Sequence, residues 1–149
     1  MDNSKQETAS KLRYFAGLAP LALLFIVGGF LHLASPAAYL KIMPPFLPWP
    51  RFLVDASGWA EIAGGLGLLL PRFRRAAAYG LAFLLVAVFP ANVYMAVAHV
   101  PFVGIMGESW FQWLRLPLQI PLVLWAMHYG RKMRGKARST PESEGIGKT

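Results

Sequence analysis

Two stretches of this chain carry no charged residue: Tyr14 to Leu31 and Ala76 to Ala98. A helix needs about 20 apolar residues to cross the hydrocarbon core of a bilayer, and both stretches are near or above that length. In lipid the backbone must satisfy its own hydrogen bonds, so each of them is expected to be a helix. Two more runs, Phe52 to Leu70 and Trp113 to Tyr129, are apolar apart from Asp55 and Glu61 in one and Arg115 in the other. A charge at the centre of a span opposes insertion by about 2.5–3.5 kcal/mol, which the remaining Leu, Ile and Val outweigh. The expectation is an all-α polytopic membrane protein, a four-transmembrane-helix bundle with spans near 14–33, 52–70, 76–98 and 113–130. Residues 1–13 read as a polar arm. Residues 131–149 read as a tail, basic first and disordered after Ser139.

Composition agrees with that class. Only 15% of residues are charged, against about a quarter in a soluble domain. The net charge of +8 sits at the ends of apolar runs and forms no stripe, which points to a bilayer and away from nucleic acid. The chain has no cysteine, which excludes disulfides, thiol redox chemistry, Fe–S clusters and thiolate metal sites. Lys5, Lys11 and Arg13 would suit the basic region of a signal peptide. The apolar run behind them is too long for one, however, and Ala34-Ser35-Pro36 is a poor cleavage site, so an uncleaved helix is expected.

Basic residues also set the orientation. The arm holds Lys5, Lys11 and Arg13, the second connection Arg72, Arg74 and Arg75, and the tail Arg131, Lys132, Arg134, Lys136 and Arg138. The first connection has only Lys41 and Arg51, and the third has none. Both termini are therefore expected on the cytoplasmic side of the cell (inner) membrane. The first connection is dense in Pro36, Pro44, Pro45, Pro48 and Pro50, with Tyr39, Phe46 and Trp49 among them. It reads as a Pro/aromatic-rich outer loop: a short interfacial helix over Ala37–Ile42, then a stiff extended segment across the bundle mouth. Trp110, Phe111 and Trp113 read as a second aromatic anchor, in the third connection.

Polar groups in hydrocarbon need an account, and here they share a depth. His32 ends the first span at the outer surface. At 1.5 Å per residue, Asp55 and Glu61 lie about 5 and 14 Å below the outer start of the second span. Asn92 lies about 9 Å beneath the outer end of the third, and Arg115 and Gln119 about 3 and 9 Å into the fourth. All six fall in the outer half, and the inner half has almost none. Arg115 and Gln119 share a helix face, as do Ser57, Glu61 and Gly65. Ala56, Ala60 and Gly64 form a small-residue series suited to close helix packing. Pro90, Pro117 and Pro121 each free a carbonyl, which Asn92 or Gln119 could satisfy.

Two readings stay open. In one, Arg115 pairs with Glu61 or Asp55, and Asn92 and Gln119 complete a purely architectural network. In the other, His32, Asp55, Glu61, Asn92, Arg115 and Gln119 line a pocket for a hydrophobic molecule with a polar head. His32 and His99 both lie at outer helix ends, but no further ligand spacing supports a haem or metal. Gly64-Gly65-Leu66-Gly67 lies inside a span and is no phosphate loop. No nucleophile–base pair can be assembled, so an enzyme is not the expected class.

The sequence resembles the DoxX family of small membrane proteins over about Tyr14 to Arg131. The resemblance rests on Gly28-Gly29-Phe30-Leu31-His32, Ile42-Met43-Pro44-Pro45-Phe46-Leu47-Pro48 and Ser57-Gly58-Trp59-Ala60-Glu61-Ile62-Ala63-Gly64-Gly65. Phe89-Pro90-Ala91-Asn92 and Arg115-Leu116-Pro117-Leu118-Gln119 follow in the same order. It implies a four-helix bundle with His32, Glu61, Asn92, Arg115 and Gln119 at the family's polar positions. It also implies association with quinone-linked redox complexes or with membrane-protein assembly. The leading expectation is a non-catalytic subunit or binding module that holds a quinone-like or lipid-like molecule and serves a membrane redox partner. The alternatives are a structural or chaperone-like assembly factor and, third, a proton-coupled transporter using Glu61.

Overall fold

The computed structural model describes residues 3–100 and 108–136. These residues form five helices and no strand: α1 (Asn3–Ala34), α2 (Pro36–Lys41), α3 (Pro50–Leu69), α4 (Arg74–Val97) and α5 (Ser109–Lys136). Three stretches are long and apolar enough to cross a membrane: Leu12–Ala34, Pro50–Leu69 and Arg74–Val97. α5 is as long as these, but Gln112, Arg115, Gln119 and two prolines dilute its apolar content.

The helices pack in the order α1, α3, α4, α5, each against the next, with α2 lying on α3 and α1. Successive long helices run antiparallel. Glycines show where they touch. A Cβ on Gly29 of α1 would run into the carbonyl oxygen of Gly58 in α3, and one on Gly65 would lie 2.8 Å from the carbonyl of Ala22. Gly64 and Gly67 give the same closeness to Leu81 and Ala77 of α4. Of the small-residue series expected at Ala56, Ala60 and Gly64, Gly64 meets α4 closely. Ala60 is exposed, and Gly58 and Gly65, seven residues apart, carry the α1 contact.

Two ends can be told apart. At the end away from α2, Leu18, Leu21, Ala22, Phe25, Leu68, Ala78, Leu81, Ala82, Ala126 and Tyr129 form the apolar core. The Tyr129 ring meets the Tyr14 ring edge-on at 5.1 Å, joining α5 to α1. Arg74 is buried at this end. It donates from Nε to the Leu68 carbonyl at 2.6 Å and from an Nη to the Leu69 carbonyl at 3.1 Å, and it lies over the Tyr14 and Phe15 rings. A cation there meets the negative end of the α3 dipole and satisfies carbonyls that no helical N–H can reach. Arg74→Ala is expected to cost about 2–3 kcal/mol. Arg74→Lys should recover only part, because an ammonium lacks the fork that serves two carbonyls. Thermal unfolding in mild detergent reads this; an unchanged midpoint for Arg74→Ala would refute the capping role.

Three expectations need correction. The polar arm over residues 1–13 is helical from Asn3 onward. Lys5, Gln6 and Ala9 favour helix and no glycine or proline precedes Gly17, so nothing in the sequence stops α1 at the membrane boundary. The segment after α2 is turned and not extended: the Met43 N–H bonds the Leu40 carbonyl and that of Leu47 the Pro44 carbonyl, with Pro44 buried. Trp110, Phe111 and Trp113 lie in the first turns of α5 and not in the connection before it. The rest of that connection, residues 101–107, and the tail beyond residue 136 lie outside the described residues.

Candidate functional site

The polar residues gather at the α2 end, in two groups facing each other. The first belongs to α1, α2 and α3. Close approach of α1 to α3 depends on glycine on both helices, and the same glycines leave room for polar side chains. A Cβ on Gly28 would sit 2.9 Å from Oε2 of Glu61, so the missing side chain is the seat of that carboxylate. Gly58 lies beneath His32. Nδ1 of His32 is 3.0 Å from Oγ of Ser57, whose hydroxyl donates to the Val54 carbonyl at 2.9 Å. With the Ser57 proton directed to Val54, Nδ1 carries the hydrogen and donates to Oγ. The Tyr39 ring of α2 lies on the His32 ring at 3.8 Å between centroids. Burial, and then the Glu61 charge, raise the Tyr39 phenol above its ordinary value against the opposing pull of Arg115. Tyr39 is therefore a neutral hydroxyl at physiological pH.

The second group belongs to α4 and α5. An Nη of Arg115 donates to Oδ1 of Asn92 at 3.4 Å, and the other reaches Sδ of Met95 at 3.6 Å. Nδ2 of Asn92 donates to Oε1 of Gln119 at 2.9 Å, and Nε2 of Gln119 donates to the Leu85 carbonyl. Leu85 adjoins Val86, the residue whose carbonyl Pro90 leaves without a helical donor. Gln119 thus attends to backbone loosened by the proline, close to the expected carbonyl but one residue away. It also lines an apolar cavity of about 250 Å³ with Val86, Phe89, Ile120, Val123 and Leu124.

Five of the six expected residues lie in these two groups: His32, Glu61, Asn92, Arg115 and Gln119. Asp55 does not. It pairs with Arg51, one turn earlier on α3, at 2.8 Å on the exposed rim at the α2 end, in a wide groove of about 770 Å³ with Trp49, Pro50 and Phe52. A partner on the same helix face at i,i+4 is nearer than anything across the bundle. The expected pairing of Arg115 with an acid is also absent. Among the described residues the one ion pair is Arg51–Asp55, and no group hydrogen-bonds the Glu61 carboxylate. Glu61 on α3 and Arg115 on α5 stand at the same end of the bundle. Both are partly buried.

Other contributors escaped the sequence reading. Ser57 was placed only by its helix face and Tyr39 only as a headgroup aromatic. Gly28 entered only through a family resemblance, because a glycine that makes room leaves no chemical mark. Gln112, buried, donates to the Val100 carbonyl at 2.9 Å and ties α5 to the end of α4. That α4 end is a reversal with His99 in the left-handed region at φ 49° and the Val100 N–H bonding the Met95 carbonyl. The His99 ring meets the Val97 carbonyl at 3.1 Å, so it serves the helix end and does not join His32.

An all-helical chain, with three helices of membrane-spanning length and apolarity and its polar side chains gathered at one end, is a membrane protein. Residues 21–130 match the family described as a domain of unknown function, DUF8561, and the chain belongs to that family. No curated protein and no solved structure matches it.

Proposed function

We propose that the protein is a four-span, DoxX-like bundle of the cell (inner) membrane. α5 is the fourth span, both termini are cytoplasmic, and the α2 end is the outer end. In this reading it is a non-catalytic binding module. It holds a quinone-like or lipid-like molecule between the two polar groups and presents it to a membrane redox partner. The supporting observation is that an acid, Glu61, and a base, Arg115, stand at the same end of the bundle beyond the apolar core without pairing. A buried acid and base left apart favour a third polar group between them, because each unmet charge is costly in a low-dielectric interior. The apolar cavity beside Gln119 suits a hydrocarbon tail.

Native mass spectrometry of protein purified in mild detergent, with solvent extraction alongside, tests this. One hydrophobic molecule per chain is expected, with occupancy reduced in Glu61→Gln. Gly28→Ala should reduce it too while folding normally, since its Cβ meets only the movable end of Glu61. An empty wild-type chain at every detergent concentration tried would sink the proposal. It would favour the second reading, an architectural or assembly factor, whose support is the closed Arg115–Asn92–Gln119–Leu85 chain of hydrogen bonds.

A further inference from the structure

We infer that the end of the bundle away from α2 carries a site for the headgroup of an anionic phospholipid, held by Arg13, Arg72, Arg75 and Arg131. The site is separate from the one proposed at the α2 end. Three helices meet here. The centroid of the Tyr14 ring of α1 lies 5.1 Å from that of the Tyr129 ring of α5, and the Arg74 guanidinium of α4 stands 5.4 Å from the same Tyr14 ring. Farther along α4, the Tyr79 ring packs so closely on α5 that a Cβ on Gly130 would lie 3.0 Å from it. The four arginines flank these contacts. Arg13 precedes Tyr14, and Arg72 lies just before Arg74 with its guanidinium 5.9 Å from the Phe73 ring. Arg75 stands one turn before Tyr79 on the same face, and Arg131 follows Gly130. Arg74 is spent on the carbonyls that end α3, but the other four side chains are exposed.

Their charge is unmet by the chain. None of the four forms an ion pair among the described residues. The sequence has no acid from Thr8 to Val54, from Ile62 to Gly107 or from Ser109 to Pro141, so none stands beside them along a helix. At the other end, by contrast, Arg51 has Asp55. Insertion topology asks only for an excess of positive charge, which lysine supplies as well as arginine. The base nearest each of these contacts is an arginine, whose planar fork matches a phosphate bidentately. Leu12, Phe15 and Phe73 are exposed beside the arginines, so the fitting occupant joins an anionic head to apolar tails. Basic residues clustered between transmembrane helices at headgroup level bind anionic lipid heads in this way.

Full-length protein in an uncharged mild detergent, titrated with dioleoyl phosphatidylglycerol or dioleoyl phosphatidylcholine and counted by native mass spectrometry, tests this. The two lipids share tails and differ in net head charge, and micelles remove topology from the readout. Phosphatidylglycerol should be retained in preference. Arg72→Gln/Arg75→Gln should lower its occupancy by on the order of tenfold or more at fixed ionic strength. Lys41→Gln/Arg51→Gln removes the same net charge at the α2 end and should leave that occupancy unchanged. Both altered arginines of the site are exposed, so the lipid-free melting midpoint should stay near that of the wild type. Arg13→Gln/Arg131→Gln, which leaves α4 intact, should give the same loss and decides the matter if the first variant melts early. Equal retention of the two lipids by the wild type overturns the inference. So does an equal loss in the α2-end variant, which would mean attraction by net charge alone. Displacement of the lipid by inorganic phosphate at equal concentration would make this a site for a soluble anion and overturn it too.

Discussion

Gly29→Ala should lower the thermal midpoint by several degrees, while Gly80→Ala in the same chain should raise it. The two substitutions add the same methyl to a helical glycine, so propensity acts equally on both and favours alanine by about 0.5–1 kcal/mol. The difference lies in what the methyl meets. At Gly80 nothing lies within 4 Å. At Gly29 the new Cβ would strike the Gly58 carbonyl oxygen and lie 2.9 Å from Cβ of Glu61 and from Cγ1 of Ile62. Two of these three atoms belong to the backbone or to the root of a side chain, and they cannot swing aside. α1 and α3 must separate, at a cost of about 1–3 kcal/mol or more. A chain of this length loses roughly 2–4 °C per kcal/mol, so, net of the propensity gain, a fall of about 2–10 °C is expected. Gly29→Leu should prevent recovery of folded protein. If Gly29→Ala melts with or above Gly80→Ala, the α1–α3 contact is wrong, and with it the seat of Glu61.

That pair of glycines also shows where sequence reading stops. Apolar runs free of charge placed the helices within a few residues, because lipid leaves the backbone no other solution. The start of α1 was not legible, since helix-forming residues continue past the membrane boundary without a break. Position along the helices was legible: residue number times helical rise grouped His32 and Glu61 on one pair of helices and Asn92, Arg115 and Gln119 on the other toward the α2 end. Pairing was not. It depends on rotation about each helix axis, and a strong local partner can override any long-range choice. Asp55 shows this, taken by Arg51 one turn away. Arg115 shows the converse, meeting Asn92 and Met95 of α4 while the acid it was expected to find sits across on α3. The hydropathy of α5 was diluted by the side chains that make the site, so its strength as a span and its chemical interest pull in opposite directions.

The remaining large effect is a coupling between charges that do not touch. Arg115→Gln removes the guanidinium from the α4–α5 group and strips a donor from Asn92. A carboxylate left in the bundle without a counter-charge is costly, and taking up a proton limits that cost, so this single variant should be destabilised by about 1–3 kcal/mol. Glu61→Gln alone strands Arg115 in the same way, with a smaller penalty because Asn92 and Met95 still hold the guanidinium. The double variant Glu61→Gln/Arg115→Gln carries no uncompensated charge and should melt well above the Arg115→Gln single. The coupling expected from the four proteins is about 1–3 kcal/mol in favour of the double, read from unfolding midpoints in one detergent at one salt concentration. Screening is weak inside the bundle, so the coupling should persist in high salt, where a surface pair such as Arg51–Asp55 would lose its own. Additive effects, within about 0.5 kcal/mol, would mean that Glu61 and Arg115 do not share an interior. The two polar groups would then be separate packing features with no common site between them.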